Sequence, residues 1–242
     1  MRILLPLFSF WIAACGGSEP TTDELADGTG VEPPTAAAGS PATTMPDTEP
    51  STDAPRVVFV GTSLTAGYGL DDPLGQAWPA QVGELAADAG TPIRVVNAGV
   101  SGDTSAGGLR RVSPLLTPAP AGVVLELGAN DGLRGLPTTE LRSNLEAMVD
   151  SVRKYAPNAP IVVTRMEAPR NLGPKYVETF SAVFDSLDAR AGVTVTDFLL
   201  EGVAGVAELN QGDGIHPIAE GHRRMAETVW PTLRTRIVGG GA

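Results

Sequence analysis

From residue 56 onward, short apolar runs alternate with longer stretches of mixed character. Five runs, 56–60, 93–97, 122–127, 160–164 and 193–196, are rich in Val and Ile and largely unbroken by polar positions. Such runs predict strands buried on both faces, as in a parallel sheet. Between them, 77–89, 105–116, 138–155 and 174–190 space their apolar residues at helical intervals, and 217–236 closes the chain in the same way behind Pro217. Strand–helix alternation with right-handed crossovers puts helices on both faces of the sheet, so an α/β fold is expected: a three-layer α/β/α sandwich around a five-stranded parallel sheet.

The first 55 residues follow another pattern. Residues 1–14 hold a lone Arg2 and then an uncharged apolar run shorter than the ~20 residues of a membrane span, which reads as a signal peptide. The run ends in Ile12-Ala13-Ala14-Cys15-Gly16, which resembles a bacterial lipobox, so Cys15 is expected to carry a lipid. An ordinary secretory signal containing a cysteine by chance is the alternative. Cys15 is the only cysteine, so an intrachain disulfide is excluded. Residues 15–55 are rich in Thr, Pro, Ala and acidic groups without apolar periodicity and read as a disordered tether, leaving 56–242 as the folded domain. The net charge of −11 is mostly leader: residues 1–55 carry eight of the 28 acidic residues and one of the 17 basic ones, so the remainder keeps 20 against 16, a net of −4. That balance offers no basic footprint for nucleic acid.

Candidate chemistry lies in the segments that follow the strands, where open α/β sheets bind ligands. After the first strand, Gly61-Thr62-Ser63-Leu64-Thr65 would expose a serine hydroxyl at the sheet edge. After the second comes Ser101-Gly102-Asp103-Thr104-Ser105, and after the third Gly128-Ala129-Asn130-Asp131-Gly132. These would bring a glycine amide and an asparagine side chain to the same edge, donors of the kind an acyl-transfer oxyanion requires. Taken singly, each is also a plain turn or a capped helix start. Asp213-Gly214-Ile215-His216-Pro217 sets a carboxylate three residues from an imidazole, a base with its orienting partner for a serine that is otherwise a poor nucleophile. The other histidine, His222, stands among Glu220, Arg223 and Arg224 and reads as part of a solvated helix face.

Together the four blocks resemble the SGNH, or GDSL, hydrolase family, in which they supply Ser, Gly, Asn and His. The likeness runs over essentially all of 56–237 and looks closest to bacterial periplasmic thioesterases, lysophospholipases and arylesterases. It implies a flavodoxin-like SGNH fold, a catalytic Ser63–His216–Asp213 triad, an oxyanion hole from Ser63, Gly102 and Asn130, and no metal or other cofactor. Leu133 and Leu172, on the segments after the third and fourth strands, are expected acyl contacts, with packing over the sheet edge as the alternative. Two departures stand out: Thr62 replaces the usual Asp before the serine, which should alter how the nucleophile turn is held, and Ala129 replaces a common Gly, which should narrow the floor of the site. The Gly-x-Ser-x-Gly elbow of α/β-hydrolases is absent because Thr65 occupies its second glycine position.

The resemblance implies a serine esterase or thioesterase, expected as a monomer held to the bacterial cell envelope by its lipid, at the outer membrane or cell surface, and acting on small acyl esters or lysophospholipids. Two alternatives stay open: a carbohydrate O-deacetylase of the same family, and an inactive envelope-binding lipoprotein.

Overall fold

The computed structural model describes residues 53–238. The signal peptide, Cys15 and nearly all of the tether lie outside the described residues. The five strands are β1 (Arg56–Gly61), β2 (Arg94–Gly99), β3 (Gly122–Glu126), β4 (Ile161–Arg165) and β5 (Val193–Phe198), all parallel in the order β2-β1-β3-β4-β5. The chain steps outward from β1 to β2, then crosses back over β1 to β3. The switch point between β1 and β3 is where such sheets open a crevice at their carboxyl ends.

β1, β3 and β4 are almost entirely buried, as their unbroken apolar runs require. β2 and β5 are edge strands and only half buried, so the expectation of five fully buried strands holds for the central three. The principal helices are α3 (Trp78–Asp88), α4 (Ser105–Leu115), α6 (Thr138–Tyr155), α7 (Pro174–Asp188) and α8 (Ala219–Leu233), with short helices α1 (Ser63–Ala66), α2 (Pro73–Gln76) and α5 (Ala129–Leu133) directly after strands or loops. α4 packs on α6 and α6 on α7, while α3 packs on α8. Each principal helix buries one stripe. On α6 this is Leu141, Leu145, Met148, Val149 and Val152, and on α7 Phe180, Val183, Phe184 and Leu187. Every such side chain removed from water stabilises the fold by about 1.5–3 kcal/mol before its ordering entropy is counted.

Two local differences from the sequence-based expectations matter for the site. The last helix begins at Ala219 rather than Pro217, because Pro217 forms an antiparallel bridge with Asn210 and the Ile218 amide donates to the Leu209 carbonyl (2.9 Å). His222 is buried, against the expected solvated face. It belongs to the inward stripe His222, Met225, Ala226, Val229 and Leu233, while the charged Arg223, Arg224 and Glu227 point outward.

Candidate active site

β1 ends at Gly61, and Ser63 opens α1 immediately beyond it. Across the crevice, the loop 210–218 is pinned by its own backbone: the Gln211 amide donates to the His216 carbonyl (2.7 Å), and the Gln211 side-chain amide bridges the carbonyls of Tyr68 (2.8 Å) and Pro217 (3.0 Å). This fastens the loop to the segment just after Ser63. His216 Nε2 then stands 2.9 Å from Ser63 Oγ, and His216 Nδ1 stands 2.6 Å from Asp213 Oδ2. An ionised carboxylate only accepts, so Nδ1 carries the proton and Nε2 is left to accept from the serine hydroxyl. The other oxygen, Asp213 Oδ1, accepts from the Ile215 and His216 amides, both at 3.0 Å. The ring N–H of His216, followed by these two amides, lowers the Asp213 carboxyl to about 2. The Tyr68 ring lies against the imidazole with centroids 4.6 Å apart.

Gly102 has φ +82°, a conformation that costs a side-chain-bearing residue about 1–2 kcal/mol, and its carbonyl accepts from Arg134 Nη2 (2.9 Å). Asn130 Nδ2 donates to the Asp103 carbonyl (2.9 Å), which fixes the amide plane while one of its two N–H bonds stays available. Arg111 ties three pieces of this edge together. It pairs with Asp103 at 2.7 Å, and its two terminal nitrogens donate to the carbonyls of Ala98 at the end of β2 (2.6 Å) and Gly61 at the end of β1 (2.7 Å).

Beneath the edge lie two carboxyls that the sequence reading assigned no role. Asp131 is buried and accepts from the Ser105 amide (2.8 Å) and hydroxyl (2.6 Å), so it caps α4 from another element, while Thr104, at the N-cap position, makes no side-chain cap bond among the described residues. Glu126, at the end of β3, is fully buried beneath α1. Its Oε2 accepts from Thr62 N (2.8 Å), Thr62 Oγ1 (3.1 Å), Thr65 N (3.3 Å) and Thr65 Oγ1 (2.9 Å), and burial outweighs these bonds to push its carboxyl up to about 7. Their partners are 26 and 61–64 residues distant, so no local pattern announces either pair.

Ser63, Gly102, Asn130 and His216 line one groove of about 450 Å³, and Asp213 stands behind the imidazole. The volume is that of a small-ligand pocket. The groove wall is mainly apolar, with Leu133, Met166, Pro169, Phe198, Leu200 and Ile215. Leu133 thus stands in the groove wall. Leu172 is not a wall residue: the chain makes a 3-10 turn at Arg170–Leu172, and the side chain lies instead over Gly135. Tyr68, Phe198 and Ile215 were missed. Phe198 lies two residues beyond the predicted 193–196 strand and ends the observed β5, and ligand contacts just past strand ends are expected in this fold class, so that position was the available signal.

A family model described as GDSL-like Lipase/Acylhydrolase matches residues 59–224. Esterase TesA of Pseudomonas aeruginosa is 44% identical over 182 residues, covering 75% of this chain and 89% of that protein. The crystal structure of TesA matches with a TM-score of 0.69, covering 74% of this chain and 98% of that one. Thioesterase 1/protease 1/lysophospholipase L1 of Escherichia coli (strain K12) is 36% identical over 185 residues, covering 76% of this chain and 86% of that protein. The psychrotrophic esterase EstA from Pseudoalteromonas sp., in a structure inhibited by monoethylphosphonate, is 30% identical with a TM-score of 0.69 and covers 75% of this chain and 97% of that one. With its five-stranded parallel sheet and the four blocks gathered at one edge, the chain belongs to the GDSL-like lipase/acylhydrolase, or SGNH, family and is a carboxylic ester hydrolase.

Proposed function

We propose that the chain hydrolyses esters or thioesters of apolar acyl or aryl groups through an acyl-enzyme on Ser63, with His216 as general base and Asp213 as its orienting carboxylate. The observation that carries this reading is the Ser63 Oγ–His216 Nε2–Asp213 relay, at 2.9 and 2.6 Å, opening on an apolar groove. His216 Nε2 takes the Ser63 proton as Oγ attacks the acyl carbon. The Ser63 and Gly102 amides and Asn130 Nδ2 receive the oxyanion, each such donor being worth about 10²–10³ in rate. Collapse breaks the bond to the leaving oxygen or sulfur, which departs with the proton from His216. Water then repeats the sequence, and the acid is released. TesA of P. aeruginosa is named an esterase and the E. coli relative a thioesterase and lysophospholipase, which supports the same range of substrates here. The apolar wall favours lipid-like or aryl acyl groups over the sugar O-acetyl groups of a deacetylase.

The test combines fluorophosphonate labelling with a p-nitrophenyl ester series of increasing chain length, for wild type and Ser63→Ala. Labelling of wild type alone, with rates that rise beyond acetyl, is expected. An unlabelled wild type would remove the acyl-enzyme, and turnover of acetyl alone would support the deacetylase. We further propose that Cys15 carries the lipid that holds a monomeric enzyme at the bacterial envelope, supported by the Ile12-Ala13-Ala14-Cys15 stretch. Radiolabelled palmitate incorporated by wild type but not by Cys15→Ser is the expected result; incorporation by both would refute it.

A further inference from the structure

The residue before the nucleophile is Thr62, where this family's first block usually has Asp, and the structure shows what holds the turn in its place. Glu126 pairs in register with Gly61 across the β1–β3 ladder, and its side chain runs beneath α1. Among the described residues, every hydrogen bond it receives comes from Thr62 or Thr65, the residues on either side of the nucleophile turn. Oε2 gathers two amides and two hydroxyls, and Oε1 meets Thr62 Oγ1 at 3.1 Å. Neither amide it uses is that of Ser63, which stays available to an oxyanion.

We propose that Glu126 is a positioning residue for Ser63: a buried carboxyl that clamps the backbone on both sides of the nucleophile, with Thr62 and Thr65 as its built-in partners. The inference rests on Ser63 being the nucleophile. Three features set the clamp apart from a carboxyl that merely fills a core. Its partners are confined to the turn rather than spread over neighbouring strands. The approach is so close that a Cβ on Gly61 would fall 2.0 Å from Thr65 Oγ1 and 2.6 Å from Glu126 Oε2, so glycine is required there for the clamp to shut. The partner at 62 is a hydroxyl, which can donate to an ionised Glu126 or accept from a neutral one, and the turn keeps its geometry in either state. A carboxylate at position 62 would instead set two acids side by side and force them to share a proton.

Removing the clamp should displace the Ser63 hydroxyl and amide relative to His216 and Asn130 while leaving in place the apolar wall that Leu133, Met166, Phe198 and Leu200 contribute from other elements. Near-attack geometry is lost steeply with sub-ångström displacement, so the effect falls on kcat rather than KM. Steady-state kinetics on a p-nitrophenyl ester are measured for Glu126→Ala, Glu126→Gln and Thr65→Val, each with a thermal melt and near-ultraviolet circular dichroism to establish folding. Fluorophosphonate labelling of wild type and its loss in Ser63→Ala test the underlying nucleophile assignment independently, so a failure there is distinguishable from a failure of the clamp. Glu126→Ala is expected to lower kcat by roughly 30-fold or more with KM within about twofold. Glu126→Gln can accept from the same two amides while its NH2 donates to Thr62 Oγ1, and should stay within about threefold of wild-type kcat. If Glu126→Ala does not fold, Thr65→Val carries the test with an expected loss of about tenfold in kcat alone. Folded Glu126→Ala or Thr65→Val enzymes with wild-type kcat would overturn the proposal. So would a Glu126→Gln variant as impaired as Glu126→Ala, or losses that appear in KM.

Discussion

Glu126 and His222 give the fold two opposed proton linkages of almost equal size. Burial raises the Glu126 carboxyl from 4.5 to about 7, and burial, followed by the charge of His216, lowers His222 from 6.5 to about 4. Between pH 4.5 and 7 the folded protein holds a proton on Glu126 that the unfolded chain has released, so this group's contribution is full below pH 4.5 and lost as pH rises through 7. Between pH 6.5 and 4 the unfolded chain binds a proton on His222 that the folded protein refuses, so that contribution is full above 6.5 and lost as pH falls through 4. Each shift of about 2.5 pH units corresponds to about 3 kcal/mol, with slopes of about −1.4 and +1.4 kcal/mol per pH unit. Over pH 4.5–6.5 they cancel. Urea unfolding at fixed ionic strength across pH 4–8 is the assay, applied to wild type, Glu126→Gln, His222→Gln and the double variant. Asp213 and Glu220, whose carboxyls are lowered, act at and below the acid end of this range and in all four proteins alike, so difference curves isolate the pair. Relative to the double variant, Glu126→Gln should lose about 3 kcal/mol from pH 6.5 to 4, and His222→Gln about 3 kcal/mol from pH 4.5 to 7, while wild type stays level between pH 4.5 and 6.5. Parallel curves for wild type and Glu126→Gln would refute the reasoning.

Three further outcomes are expected. Asp213→Asn keeps the shape of the His216 contact but loses the acceptor that fixes the imidazole tautomer, so kcat should fall by about 10⁴ with KM little changed; a loss under tenfold would contradict the assigned relay. Asp131→Ala leaves the buried Ser105 amide and hydroxyl without their acceptor, a cost of about 2–4 kcal/mol, and a thermal melt should fall by roughly 5–15 °C. Trp78 packs edge-on against Phe59 at 5.2 Å, yet its indole Nε1 is buried with no hydrogen-bond partner among the described residues. Trp78→Phe should therefore cost about 1 kcal/mol or less by urea unfolding, well below a usual Trp truncation, and a loss above about 3 kcal/mol would show the ring's full volume to be irreplaceable.

What could be read beforehand follows from range along the chain. Apolar runs and helical spacing are local, and they located the five strands and the principal helices to within a few residues. The Ser, Gly, Asn, Asp and His positions were legible because each sits directly after a strand or in a loosened loop, where topology alone brings segments to one edge. Glu126 and Asp131 were not, because a buried carboxyl is recognised by its partners, and these are 61–64 and 26 residues distant. His222 was misread for the opposite reason: three charged neighbours outweighed its own place in the 222, 225, 226, 229, 233 stripe, which was visible in the sequence. Leu172 lies over Gly135 in place of the groove wall, the packing alternative to an acyl contact.

The 2.9 Å contact between Ser63 and His216 joins residues 153 positions apart, nearly the two ends of the folded domain. Closing so long a loop is among the slowest steps in folding, because its entropy is lost before any contact across it compensates. On the proposed mechanism, hydrolytic activity is tied to completion of the fold: Ser63 follows the first strand, but no stretch ending before residue 216 carries the proposed base, and loop 210–218 is braced by a helix that follows it. Appearance of activity during refolding should consequently report docking of the last helix against α3, and not the earlier assembly of the sheet.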